Sequence, residues 1–273
     1  MDNTLTITID VEWKYDGDNA GHLDLTAFSA LSLRQRTDMD NGRTLSAVEK
    51  ILDLLRSYKQ RITFFVLAEL DEAFPSLVAD IVREGHEVGL HGLRHDLLTT
   101  AEALDDELRR CKPFKDRYDC VSFRAPRIGG TAFLYPLLCE HGYKFDSSVY
   151  GTGRFREHGI TVVPVSVLPL RNDHIRRVPC DFSAALKKFA IPFGSGAAPA
   201  MGEHLYVRTL DYYTKRFAER PCIFLHSWQL DHPQYSKRFL AQNPGMIFYS
   251  RRSTALFEHL CRRYRFAPMR EAL

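Results

Sequence analysis

The chain has 273 residues, 37 of them basic and 34 acidic, for a net charge of +3 at pH 7. That near balance excludes the strongly basic surface of a nucleic-acid binder. With 45% hydrophobic and 26% charged residues, the composition is that of an ordinary folded domain, and the length suits one unit over residues 1–273. No apolar run approaches the ~18 residues of a membrane span. Met1 to Thr4 runs straight into a strand pattern rather than an export leader, so the expected location is the cytoplasm. Cys111, Cys120, Cys139, Cys180, Cys222 and Cys261 form no CxxC pair and are expected as reduced, mostly buried thiols. The arginines at 251, 252, 262, 263 and 265 read as the wet side of a terminal helix, and peripheral membrane contact has no further support.

In chain order, Thr4 to Ile9 alternates as a strand and delivers Asp10 and Glu12 to one face. Residues 14–43 are polar and rich in Gly and Asp, and they predict a long loop. A helical stripe covers 44–58, and Ile62 to Leu67 is a continuous apolar run of buried-strand length. Pro75 opens a helix that Gly85 ends, and Glu87 to Leu90 is a short strand leading into His91. Further elements are a helix over 99–111, a strand over 121–124, and a helix over 131–142 with Pro136 as a kink. Strands over 161–167 and 175–179, a helix over 206–219, a strand over 222–225 and a helix over 253–264 complete the series. Strands alternating with helices predict a parallel α/β sheet, with polar residues gathered at the carboxyl ends of its strands. The motif-bearing core spans 4–232, followed by a C-terminal helical segment over 240–273.

The pair His91 and His95 stands four residues apart, a spacing at which two imidazoles point the same way across a helical turn and suit a divalent metal. Two histidines and one carboxylate leave coordination positions open for water and substrate, which fits hydrolysis rather than structural support. The carboxylate is expected from Asp10 or Glu12. Three more clusters follow strands: Phe123-Arg124-Ala125-Pro126-Arg127, Phe145-Asp146-Ser147-Ser148, and Phe224-Leu225-His226-Ser227-Trp228-Gln229.

Taken in this order over residues 4–232, the five clusters resemble the polysaccharide deacetylases of the NodB-homology type, the carbohydrate esterase 4 superfamily. HxxxH alone is a weak signal, whereas the ordered set is specific. The resemblance implies a distorted (β/α) barrel and a metal-dependent amide hydrolase acting on N-acylated amino sugars of a glycan or glycan precursor. It places metal ligands on His91 and His95 with a carboxylate from the first motif, the general base on Asp10, an orienting arginine on Arg124 and the general acid on His226. The usual first motif has adjacent aspartates, whereas this chain reads Asp10-Val11-Glu12. The ligand role goes to Glu12, which shares a face with Asp10, and the reverse assignment stays open. The donor set suits zinc first, with cobalt, manganese, nickel or iron as alternatives.

Amide hydrolysis needs these residue types on chemical grounds as well. A metal activates water and polarises the carbonyl, a carboxylate takes the water proton, a nearby cation keeps that carboxylate ionised, and a histidine protonates the leaving amine. Trp228, with Pro126 and Arg127, is expected at the substrate, and Asp146 or Asp231 is expected to orient His226 or Arg124. Plainer readings exist for each: His226 as a satisfied core residue, Asp146 as a cap, Arg124 as part of a turn. His86, directly after Gly85, is expected to be structural. The alternatives in function are a deformylase or cyclic ureide hydrolase on the same barrel, and an inactive carbohydrate-binding barrel. The oligomeric state is not readable.

Overall fold

The computed structural model describes residues 3–13, 30–170, 190–194, 201–231, 241 and 253–271. Strand β1 (Thr4–Val11) is followed by α1 (Leu33–Asp40), α2 (Arg43–Ser57), β2 (Thr63–Val66), α3 (Glu69–Ala73), α4 (Pro75–Arg83) and β3 (Glu87–Leu90). Next come α5 (Ala101–Arg110), α6 (Lys112–Tyr118), β4 (Ser122–Phe123), α7 (Leu134–Glu140), β5 (Phe145–Asp146) and β6 (Tyr150–Gly151). The hairpin of β7 (Phe155–Glu157) and β8 (Ile160–Val162) precedes β9 (Val165–Pro169) and β10 (Ala190–Pro192). The series ends with α8 (Glu203–Phe217), β11 (Cys222–His226), α9 (Ser253–Arg263) and β12 (Arg265–Ala267).

The main sheet runs β11-β1-β2-β3-β4-β5-β8-β7, with β12 also on β1, and curls into a half-barrel. All its pairings are parallel except β7 with β8. That hairpin turns through His158 and Gly159, both at positive φ as a tight two-residue turn requires. A second sheet of order β10-β9-β6 lies beside it. Strands β1, β2 and β3 are buried along their whole length, although only β2 lies in a continuous apolar run; β1 alternates threonines with apolar residues, and β3 opens on the buried Glu87. Helix α2 covers the sheet with Val48, Ile51, Leu52 and Leu55, and α4 with Leu77, Val78 and Ile81. Each such side chain contributes roughly 1.5–3 kcal/mol of burial.

Several expectations need correction. The loop expected over 14–43 gives way to helix at Leu33, because Ser32 and Gln35 form a reciprocal capping box; residues 14–29 lie outside the described ones. The helix over 131–142 is shorter, and Pro136 falls in its first turn, where a missing N–H breaks no helical bond and forces no kink. The strand over 161–167 is split at Pro164, which cannot donate to a ladder. The strand over 175–179 lies outside the described residues. Helices α3 and α6 and strands β6, β7, β10 and β12 were not anticipated. Five described cysteines are free, four of them buried, and Cys180 is outside the described residues. Among the described residues no helix is long and apolar enough to cross a membrane.

Candidate metal and catalytic site

Parallel register brings the strand ends together. Asp10 stands opposite His226 across β1 and β11, and Leu90 opposite Phe123 across β3 and β4, so His91 and Arg124 leave neighbouring strands at one level. Phe123 in turn pairs with Asp146. All five polar clusters therefore meet at the carboxyl edge of one sheet.

Glu12 is the centre of the arrangement. Its Oε1 lies 3.1 Å from His95 Nε2, 3.3 Å from His91 Nε2 and 3.6 Å from His226 Nε2. Its Oε2 accepts the indole N–H of Trp228 at 3.3 Å. Burial alone would raise the Glu12 carboxyl. The charges of His95 and His226, with hydrogen bonds from His91 and His95, outweigh that and hold it well below the ordinary carboxylate value.

The histidine pair does not sit on a helical turn, as the spacing suggested. His91 closes β3, and residues 92–95 form a loop in which His95 adopts φ +64°. A left-handed non-glycine residue costs about 1–2 kcal/mol, so its surroundings must hold it. Gly92, at φ +90°, is required there: a Cβ would lie 3.0 Å from Glu107 Oε1 and 3.3 Å from Pro126 Cγ. His91 Nδ1 faces the Arg124 carbonyl at 2.9 Å. A carbonyl only accepts, so Nδ1 carries a proton; the charged ring also donates from Nε2 to Glu12, and the neutral ring would leave the Nε2 lone pair for a metal.

Ligand atoms of Glu12, His91 and His95 all lie within 4.8 Å of one another. The separations of 3.1 and 3.3 Å match the roughly 3.3 Å edge of a tetrahedron with bonds of about 2.0–2.1 Å. The donor set therefore fits one divalent cation. Asp10, Glu12 and His226 form an overlapping group. However, Asp10 Oδ1 accepts from Arg124 Nη1 at 2.7 Å, and its Oδ2 stands 3.9 Å from His91 Nε2.

Arg124 is fully buried. Nη1 also donates to Thr8 Oγ1 at 2.7 Å and Nη2 to Ser147 Oγ at 2.8 Å, while its guanidinium lies 4.4 Å from the Phe65 ring centre and 5.2 Å from that of Phe224. Gly89 makes room for that Phe65 ring, which would lie 2.7 Å from a Cβ. His226 Nδ1 lies 3.1 Å from Gln229 Oε1, which also accepts the His226 backbone N–H, and its ring stacks on Trp228 at 4.7 Å.

Residues 39–115 match the family model for polysaccharide deacetylases. Over that stretch the chain is similar to polysaccharide deacetylases. A peptidoglycan-N-acetylglucosamine deacetylase of Bacillus cereus is 32% identical over 109 residues, 38% of this chain and 51% of that protein. The peptidoglycan-N-acetylmuramic acid deacetylase PdaC of Bacillus subtilis is 32% identical over 89 residues, 33% of this chain and 19% of that one. The matched stretches thus span about half or less of these relatives. In fold, the chain is similar to a probable polysaccharide deacetylase from Pseudomonas aeruginosa (TM-score 0.58, 15% identity) over 98% of this chain and 89% of the other. It is equally similar to a Puue allantoinase (TM-score 0.58, 15% identity), over 98% of this chain and 88% of the other.

The segment matching the deacetylase model contains His91 and His95, while Asp10, Glu12, Arg124 and His226 lie outside it and join them through the sheet. The structure also places the other residues singled out in the sequence. Trp228 is buried, stacked on His226 and bonded to Glu12, so it braces the site. Pro126 packs against the turn at Gly92, and Arg127 is exposed in a left-handed conformation. Asp146 accepts from the backbone N–H of Ser148 at 2.9 Å and from its hydroxyl, whose oxygen accepts from Ala125 N at 2.8 Å; this pins the loop after Arg124. Asp231 pairs with Lys50. The residues that orient His226 and Arg124 are Gln229, Thr8 and Ser147. They are neutral, and a search for charged partners passes over them.

Proposed function

We propose that the protein is a metal-dependent N-deacetylase that removes an acyl group from an amino sugar of a glycan or glycan precursor. The observation that carries this reading is the division of labour between two carboxylates of one strand end. Glu12 faces His91 and His95, and Asp10 is held by Arg124 beside them. Glu12, His91 and His95 would hold the divalent cation, zinc first by donor set. When bound, it supplies carbonyl polarisation and a lowered pKa for water at the site.

The chain's own groups do the rest. Asp10, fixed by Arg124, accepts the proton of the attacking water. His226 presents Nε2 to the site with its other nitrogen on Gln229, and from there it delivers a proton to the departing amine. Its side chain is 18% exposed, enough to regain that proton from solvent. Trp228 keeps the His226 ring and Glu12 in register.

The names of the curated relatives support peptidoglycan or a similar N-acetylated glycan as the first substrates to test. The deciding assay is acetate release from N-acetylglucosamine oligomers and peptidoglycan fragments by zinc-loaded protein, with Asp10→Asn alongside. Acetate release that disappears in Asp10→Asn is the expected result. Formate release from an N-formyl sugar, or opening of a cyclic ureide without acetate release, would move the reading to those amides. Metal binding without any turnover would leave a carbohydrate-binding barrel.

A further inference from the structure

We infer that Glu69 is a positioning residue for the Glu12–His91–His95 centre, a single buried carboxylate that ties both ligand-bearing segments to one point. This rests on the reading of that centre as a metal site.

Glu69 opens α3, directly behind β2, and it is buried although it carries a charge. Its Oε1 accepts the indole N–H of Trp13 at 2.7 Å. Its Oε2 accepts from Arg36 Nη2 at 2.5 Å and lies 3.5 Å from Arg94 Nε. Trp13 directly follows Glu12, and Arg94 directly precedes His95. One carboxylate therefore reaches the residue next to each of two proposed ligands, which come from segments about eighty positions apart in the chain. The backbone around it repeats the pattern. Leu67 N–H donates to Val11 O at 3.3 Å, Ala68 N–H to Gly92 O at 2.9 Å and Glu69 N–H to Leu93 O at 3.4 Å.

The need for such a hub is visible in the turn. His95 is left-handed, and a residue in that conformation stays there only when its neighbours over-determine it. Glu107 Oε1 accepts the Leu93 N–H at 2.6 Å from one side, and Glu69 engages Arg94 from the other. Arg36 brings α1 into the same network and supplies the buried counter-charge. None of these groups reaches the reacting atoms. Their effect is on where His95 and Glu12 point.

The test is metal affinity in the full chain, measured by competition with a chromophoric chelator for zinc and by the visible spectrum of the cobalt-loaded protein. Outer partners of metal ligands typically change affinity 10–100-fold. Glu69→Ala is expected to weaken zinc binding by about that factor and to change the cobalt spectrum. Glu69→Gln keeps an acceptor for Trp13 while losing the charge facing Arg36 and Arg94, and is expected to fall between the two. Trp13→Phe, which removes the indole N–H alone, should give a smaller loss. Glu87→Gln, at the opposite edge of the sheet, serves as the control for general destabilisation and should leave affinity unchanged. Wild-type affinity and an unchanged cobalt spectrum in both Glu69 variants would overturn the inference while leaving the metal site standing. Equal losses in Glu87→Gln and Glu69→Gln would also overturn it, because the effect would then be one of fold stability. A wild-type chain that takes up no zinc or cobalt would overturn both.

Discussion

The two edges of the main sheet each bury a glutamate and a histidine, and they treat them in opposite ways. At the amino edge, Glu87 accepts the hydroxyls of Thr63 and Ser122 and the backbone N–H of Arg270, with the Arg270 guanidinium 3.5 Å away. His86 nearby accepts the Ile62 N–H on Nδ1 and packs edge-on to Phe64. The segment after β12 seals this edge through Met269 N–H on Thr63. At the carboxyl edge, Glu12 faces three imidazole nitrogens and one indole, and His91 is held through Nδ1 on the Arg124 carbonyl. One edge is closed by hydroxyls, a backbone N–H and an arginine, and completes the fold. The other concentrates lone pairs and charge at one point, an arrangement useful only for binding something.

That contrast is broken most directly at His91. His91→Ala removes a donor with no substitute, so bound metal should fall from about one per chain to none, and with it all acyl hydrolysis. Elemental analysis of freshly purified protein checks the first part, and Glu12→Ala should behave alike. If Glu12→Ala kept its metal while Asp10→Ala lost it, the two carboxylates would exchange roles. Next in size, Asp10→Asn should retain metal while kcat drops by about a thousandfold, within the range for loss of a general base. A parallel loss of metal would contradict the separation of Asp10 from the ligand set.

These variants also mark what the sequence made legible. Asp10, Glu12, His91, His95, Arg124 and His226 were readable because each needs a titrating or charged side chain at a strand end, and such residues stand out against apolar runs. Their convergence follows from parallel register alone. The supporting residues were not readable in the same way. Ser147, Thr8 and Gln229 act through one hydroxyl or amide whose value depends on a neighbour 23 or 116 positions away or on a local turn. The helical reading of His91 and His95 failed because spacing does not distinguish a helix from a loop with a left-handed residue. Helix α1 was signalled by Ser32 and Gln35, but the polar, loop-like composition around it masked the capping box.

Glu87 gives the complementary test at the amino edge. Glu87→Ala leaves the hydroxyls of Thr63 and Ser122 and the backbone N–H of Arg270 without their acceptor, which should cost roughly 2–4 kcal/mol in chemical denaturation. Metal content and the kcat of the folded fraction should match wild type. A variant that kept its stability but lost metal would erase the distinction between the edges.

The smallest expected effect belongs to His86 and appears only on acidification. Burial lowers its pKa from 6.5 to about 4, and protonation would also replace the acceptor that the Ile62 N–H needs. Unfolded, the ring takes up a proton near pH 6.5; folded, it resists until about pH 4. Between those values the unfolded chain binds more protons, so stability falls as pH drops through the window and is flat above it. The loss should reach about 2 kcal/mol at pH 5 relative to pH 7.5. Urea denaturation of the metal-free protein across that range measures it, with His86→Gln removing the titration and flattening this part of the curve. Metal-free protein is the right sample, since it separates unfolding from metal release. An acid limb as steep in His86→Gln as in wild type would assign the sensitivity to the other edge.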